Sequence, residues 1–182
     1  MTQPQTFFDF FRDVMSKGKR IIFVGFGNPD RADDGFGIFL TRKLKNLFPN
    51  FTYNEVDDDI ESLFLDILKD RVLTDFIVYL DVIDSNKPTG ELMFLNLDTV
   101  KLAHTLSTHS SLLPVYFSLL KKKCKGQYIL GVPPVSLELF QPLSESIATK
   151  IDYIIKTLKA TYKEIKYKEQ GTQSTSAVQN SK

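Results

Sequence analysis

The sequence predicts an α/β fold in which a mainly parallel sheet is covered by helices on both faces. Three observations carry this expectation. Apolar runs of strand length alternate along the chain with stretches whose apolar residues recur at helical spacing. One of those runs, Phe76-Ile77-Val78-Tyr79-Leu80, is apolar without interruption, as a strand buried on both faces requires. Polar and acidic residues then gather just after the strands, at the sheet edge where α/β folds hold their ligands.

The elements follow in chain order. Phe7, Phe8, Phe11, Val14 and Met15 predict an amphipathic helix over 4–16, broken by Lys17-Gly18-Lys19. Residues 20–25 form the first strand. Phe36, Phe39, Leu40, Leu44 and Leu47 mark a helix over 35–48, closed by Pro49. Residues 51–56 alternate as a second strand, and Asp57-Asp58-Asp59 is a turn or helix start before a helix over 60–71. The third strand, 76–80, ends at Asp81. Pro88-Thr89-Gly90 turns the chain into an edge strand over 91–95. A helix over 109–123 tolerates Pro114 only near its first turn. Residues 128–132 form the last strand, and a stripe from Leu143 to Ile165 defines a long final helix. The expected organisation is a single domain over 20–168, an additional amphipathic helix within 1–19, and a disordered polar tail over 169–182. The added helix is expected to pack on the core, with docking of a partner as the alternative.

Composition narrows the function. The 182 residues carry 23 Lys plus Arg against 22 Asp plus Glu, a net charge of +1, with no basic stripe for a nucleic acid to follow. The dense cluster Lys121-Lys122-Lys123-Cys124-Lys125 is expected at the solvated end of a helix, where cations meet the favourable end of the dipole. A single cysteine, Cys124, excludes an internal disulfide and fits a reducing compartment; it is expected to be structural or superficial. No apolar run has the length of a membrane span, and the N-terminus lacks the layout of a signal peptide. The expected location is the cytoplasm.

The most informative stretch is Gly25-Phe26-Gly27-Asn28-Pro29-Asp30-Arg31-Ala32-Asp33-Asp34-Gly35-Phe36-Gly37, directly after a buried strand. A glycine turn at this place often binds phosphate. Here the third glycine position of a dinucleotide fingerprint is Asp30, no P-loop lysine follows, and Asp33 and Asp34 would repel a phosphate. Asp33 is expected to cap the following helix. One cap suffices for one helix, so capping alone does not account for Asp34. Asp81 ends an apolar strand, where a charge loses much of its water and needs a partner; Asp84 reads as an ordinary turn residue. Of the two histidines, His104 has no assigned role. His109, in Thr108-His109-Ser110-Ser111, is placed at a helix start whose positive end favours the neutral imidazole that binds metals. Two carboxylates and an imidazole suit a borderline divalent transition metal with positions left open. Asp34 and Asp81 are equally suited to act as an acid/base pair. Spacing alone leaves both readings open.

The order of these motifs, completed by Gly131-Val132-x-Pro134 and by the turn Pro88-Thr89-Gly90-Glu91, resembles that of the nickel–iron hydrogenase maturation endopeptidases over about residues 20–160. Within them it is most similar to the branch that processes large subunits of hydrogen-evolving and energy-converting hydrogenases. The resemblance implies a three-layer α/β/α fold with a twisted, mainly parallel five-stranded sheet. It implies that Asp34, Asp81 and His109 contact the metal, that Asp34 and Asp81 are the catalytic positions, and that Asn28, Asp57 and Thr108 lie where substrate is recognised. The implied activity is removal of a C-terminal extension from the hydrogenase large-subunit precursor once nickel is in place. In that picture the nickel belongs to the precursor, no intrinsic cofactor is tightly bound, and the protease is a monomer. A metalloprotein-binding module that does not cut is the alternative, and a nucleotide-binding domain a weaker third. The chain departs from the family pattern in two places. Asp58 and Asp59 stand where glycines are usual, and Pro133 replaces the polar residue before the late proline.

Overall fold

A computed structural model describes residues 6–98 and 113–179, the side chains as far as Glu169. In chain order the elements are α1 (Phe7–Ser16), β1 (Ile21–Gly25), a 3-10 turn (Ala32–Gly35), α2 (Phe36–Leu44), β2 (Thr52–Asn54), α3 (Ile60–Leu68), β3 (Phe76–Val82), β4 (Met93–Asn96), α4 (Leu113–Leu120), β5 (Gly126–Val132) and α5 (Glu145–Gln179). The strands form one five-stranded sheet in the order β2-β1-β3-β5-β4. All pairs are parallel except β4–β5 at the edge.

The strand period divides the core in two. Phe23, Val78, Leu80 and Leu130 point to the face under α1, α2 and α5. Their neighbours Ile22, Val24, Ile77, Tyr79 and Ile129 point to the face under α3 and α4. The result is the expected three-layer α/β/α sandwich. Tyr79 is fully buried, and its hydroxyl donates to Gln127 Oε1 at 2.6 Å, so its polar tip is satisfied.

The N-terminal segment belongs to the first of these layers. Thr6 caps α1 by accepting from the Asp9 N–H at 3.1 Å. Phe7, Phe10, Phe11 and Val14 are all buried. The Phe10 ring lies 4.7 Å from Tyr128 and the Phe7 ring 5.4 Å from Phe94, centre to centre. At its exposed side Arg12 pairs with Glu164 of α5.

Several boundaries differ from the sequence reading. Strand β3 does not end before Asp81 but runs through it to Val82, because β5 offers ladder partners at Gly131 and Val132. Backbone pairing, not side-chain polarity, sets that end. Helix α2 begins as a 3-10 turn and stops at Leu44, and α3 stops at Leu68. Residues 109–112 of the expected fourth helix lie outside the described residues, and Pro114 is the second residue of α4, where its missing N–H costs nothing. Helix α5 continues to Gln179, into the stretch from 169 that composition marks as a polar tail; the Lys, Glu and Gln residues leading into it are strong helix formers. Beyond α4, Lys121, Lys123 and Lys125 pair with Asp98, Asp70 and Asp75 at the surface. Among the described residues no helix is long and apolar enough to cross a membrane.

Because α1 supplies a wall of the core, Phe11→Ala is expected to lower the unfolding free energy by about 3–5 kcal/mol in urea melts, and a loss under about 1 kcal/mol would show that α1 is an appendage.

Candidate active site

The site is built around a glycine. After β1 the chain passes Phe26, whose N–H donates to the Leu80 carbonyl at 2.9 Å, and reaches Gly27 with φ at +117°. L-residues rarely adopt that φ. A Cβ at Gly27 would also fall on the Asp34 carbonyl oxygen and sit 3.6 Å from Asp81 Oδ1. The 3-10 turn carrying Asp34 and the strand carrying Asp81 therefore close on the same small residue. Gly37 makes a second such contact, since a Cβ there would strike the carbonyl oxygens of Phe26 and Leu80. It seats the first turn of α2 flush against the strand ends.

Both carboxylates are withdrawn from water: Asp34 is 3% exposed and Asp81 fully buried. Asp34 Oδ2 accepts from the Asn28 N–H at 3.2 Å, and Asp81 Oδ1 accepts from the Val82 N–H at 2.8 Å. Asn28 also closes its own turn, its Oδ1 accepting from the Asp30 N–H at 2.9 Å. Asn28, Asp34 and Asp81 thus lie together at the carboxyl ends of the parallel strands.

Asp33 does something other than cap a helix. Arg31 occupies the cap position of the 3-10 turn and makes no side-chain capping bond. The fully buried Asp33 carboxylate instead accepts from the N–H groups of Val135 (2.8 Å), Ser136 (3.0 Å) and Ser144 (2.7 Å) and from the Ser144 hydroxyl (2.9 Å). It ties the loop after β5 to the turn that bears Asp34.

The acids after β2 also divide their tasks. Asp57 accepts from both Nε and Nη2 of Arg42 at 2.8 Å and from the Asn54 amide at 3.0 Å. The Arg42 bonds, then the Asn54 bond, hold its carboxyl well below the usual carboxylate range. Asp58 pairs with Lys45 at 2.8 Å, and Asp59 caps α3 through the Ser62 N–H at 3.0 Å. The acid that reaches the glycine turn is Glu55, whose Oε1 accepts from the Gly27 N–H at 2.6 Å. Beside it a cleft of about 240 Å³ opens, lined by Phe26, Glu55, Asp58, Phe64 and Tyr116 among others. Sequence reasoning missed Glu55. The signal was in the strand: Asn54 pairs with Gly25, which carries the next residue alongside the turn.

Thr108, His109 and His104 lie outside the described residues. Among the described residues no group of three or more His, Cys, Asp or Glu is placed to hold a metal ion. Cys124 is half-buried, its Sγ 3.3 Å from the Leu120 carbonyl, and burial pushes its thiol up to about 11. A thiol so protonated at neutral pH is no nucleophile.

An open α/β sheet with two buried carboxylates at the carboxyl ends of its parallel strands defines the class: an enzyme-type fold with acids at its ligand edge. The family model for hydrogenase maturation proteases, HycI, matches residues 61–161, more than half of the chain. The chain belongs to this family, and it is an endopeptidase of hydrogenase large-subunit maturation. A relative assigned to the hydrogenase maturation proteases in Methanocaldococcus jannaschii is 27% identical over 163 residues, spanning 85% of this chain and 95% of its own. The crystal structure of the NiFe hydrogenase maturation protease HycI from Thermococcus kodakarensis matches with a TM-score of 0.66 and 26% identity, over 85% of this chain and 99% of that one. The solution structure of the endopeptidase HycI from Escherichia coli, 19% identical over 78% of this chain and 90% of that one, shares the fold with a TM-score of 0.60.

Two outcomes follow from these bonds. Asp33→Ala strands the N–H groups of Val135, Ser136 and Ser144; it should cost about 2–5 kcal/mol in urea melts and speed exchange of those three amides, whereas unchanged exchange would show that the loop holds itself. The folded Asp57 carboxyl titrates below its unfolded value, so its pairing contributes above about pH 4 and is lost as pH falls through the folded value. Arg42→Ala should therefore lower stability at neutral pH, by no more than about 1 kcal/mol for so exposed a pair, leave the most acidic melts unchanged and so flatten the acid limb; an acid limb as steep as before would contradict this.

Proposed function

We propose that this endopeptidase removes the C-terminal extension of a nickel–iron hydrogenase large-subunit precursor after nickel insertion, and that Asp34, Asp81 and His109 read the nickel the precursor carries. The observation that supports it is that two buried carboxylates come from separate elements to the same glycine turn, Asp34 accepting from the Asn28 N–H and Asp81 Oδ1 lying beside Gly27. Such a set is incomplete without the substrate's ion. It binds weakly alone and strongly when the precursor brings a metal that is still short of ligands. The metal is thus part of what is recognised, and no tightly bound cofactor is needed.

In this reading Asp34 takes a proton from water as the water oxygen attaches to the scissile carbonyl carbon. The C–N bond then breaks, and the proton passes to the departing amine, leaving a new carboxylate on the mature subunit and a free peptide. Asp81, its Oδ1 fixed by the Val82 N–H, holds the ion. Asn28 sets the position of Asp34 through its N–H, and Thr108, next to His109 in the sequence, is assigned to substrate recognition. Glu55 takes the substrate-facing role read from the sequence for Asp57, whose carboxylate is engaged by Arg42. The work is done by a monomer in the cytoplasm, where the precursor matures.

Asp34→Asn is expected to lower trimming of a nickel-loaded precursor by about 10²–10⁴-fold, the span of a lost general base, with the melting profile kept. Mass spectrometry reads the shortened chain. Full cleavage by the variant would remove Asp34 from the chemistry. Tight binding without any shortening by the unaltered protein would select the non-catalytic reading.

A further inference from the structure

The loop from Pro133 to Pro142 presents apolar side chains to solvent: Val135, Leu137, Leu139 and Phe140, the last 83% exposed. An exposed apolar loop is usually slack. This one is held stiffly. Besides the bonds from the Val135 and Ser136 N–H groups to the Asp33 carboxylate, the Asp33 N–H donates to Ser136 O (3.1 Å) and the Ala32 N–H to Gln141 O (3.2 Å). The Phe140 N–H donates to Asp30 O (2.6 Å) and Arg31 Nε to Leu137 O (3.4 Å). Every partner lies in Asp30–Asp33, directly ahead of Asp34. Both sides carry backbone strain, with φ at +44° for Ala32 and +59° for Phe140. A phenylalanine in the left-handed region with its ring in water serves neither the local backbone nor the core. Such strain persists where a surface has a task.

We infer that the 135–140 loop is the docking platform for the protein substrate, gripping an apolar surface of the large-subunit precursor next to its scissile bond. The inference rests on the function proposed above and extends it. The platform is continuous with the catalytic rim, since its backbone is bonded to the turn that carries Asp34. A precursor seated on it presents its tail to Asp34 and Asp81 in fixed register. Bound this way, the folded precursor is recognised by more than its ion.

Phe140→Gly is the test, because glycine accepts φ at +59° and the ring stands largely in water. With the cognate nickel-loaded precursor, KM should rise at least about fivefold (RT ln 5 at 298 K is close to 1 kcal/mol) while kcat holds and the melting temperature stays level or rises. An unchanged KM would overturn the inference. Surface plasmon resonance with the precursor separates the two claims: failure of the unaltered protein to cut counts against the proposed function, and equal affinity of both proteins counts against the loop. Sedimentation names the rival occupant. A dimer of the unaltered chain that Phe140→Gly disperses, with KM unmoved, would assign the loop to self-association.

Discussion

The whole site hangs on one close approach: the backbone at Gly27 lies against the carbonyl of Asp34, with no room for even a methyl group between them. That contact joins the end of β1 to the turn before α2 and draws both to the side of Asp81. Gly27 is further fixed by Glu55 at its N–H, so β2 is bound into the same point. Three neighbouring strands and one helix start are thereby referenced to a single residue. Buried carboxylates are costly to assemble without such constraint. Here the scaffold carries that cost before any substrate arrives.

The neighbouring acids Asp33 and Asp34 show how a short 3-10 turn separates two tasks. With three residues per turn, consecutive side chains leave the axis about 120° apart. One carboxylate therefore enters the loop after β5, and the other turns to the Asn28 N–H. Asp33 accepts four hydrogen bonds and acts through position. Asp34, beside Asn28 and Gly27, is where the chemistry is assigned. The exposed loop on the far side of Asp33 and the turn that bears Asp34 are consequently tied together.

Most of the fold was legible in the sequence because its signals are periodic. The uninterrupted run at Phe76–Leu80 and the helical stripes gave the strands, the helices and the parallel sheet. The gathering of Asn28, Asp34 and Asp81 at one sheet edge was legible too, since a glycine turn followed by two acids is a local pattern. What local pattern could not reveal were partners distant along the chain. Asp33 looked like a cap because its true partners, Val135, Ser136 and Ser144, lie at the other end of the domain. The engagement of Asp57, read for substrate recognition, by Arg42 was hidden as well, because it depends on how α2 packs beside β2. Glu55 was invisible because its role follows from β1–β2 register. The strand end at Asp81 was misread for a related reason: polarity suggested a stop, and the ladder with β5 continued through it.

The central claim is that the acid pair ligates an ion owned by the substrate. Nickel K-edge absorption of the loaded precursor, alone and mixed with the protease, tests it most directly. Light oxygen or nitrogen scatterers should join the nickel shell on mixing and be lost when Asp81→Ala replaces the unaltered protein. A nickel shell identical in the free precursor and in the complex would contradict it.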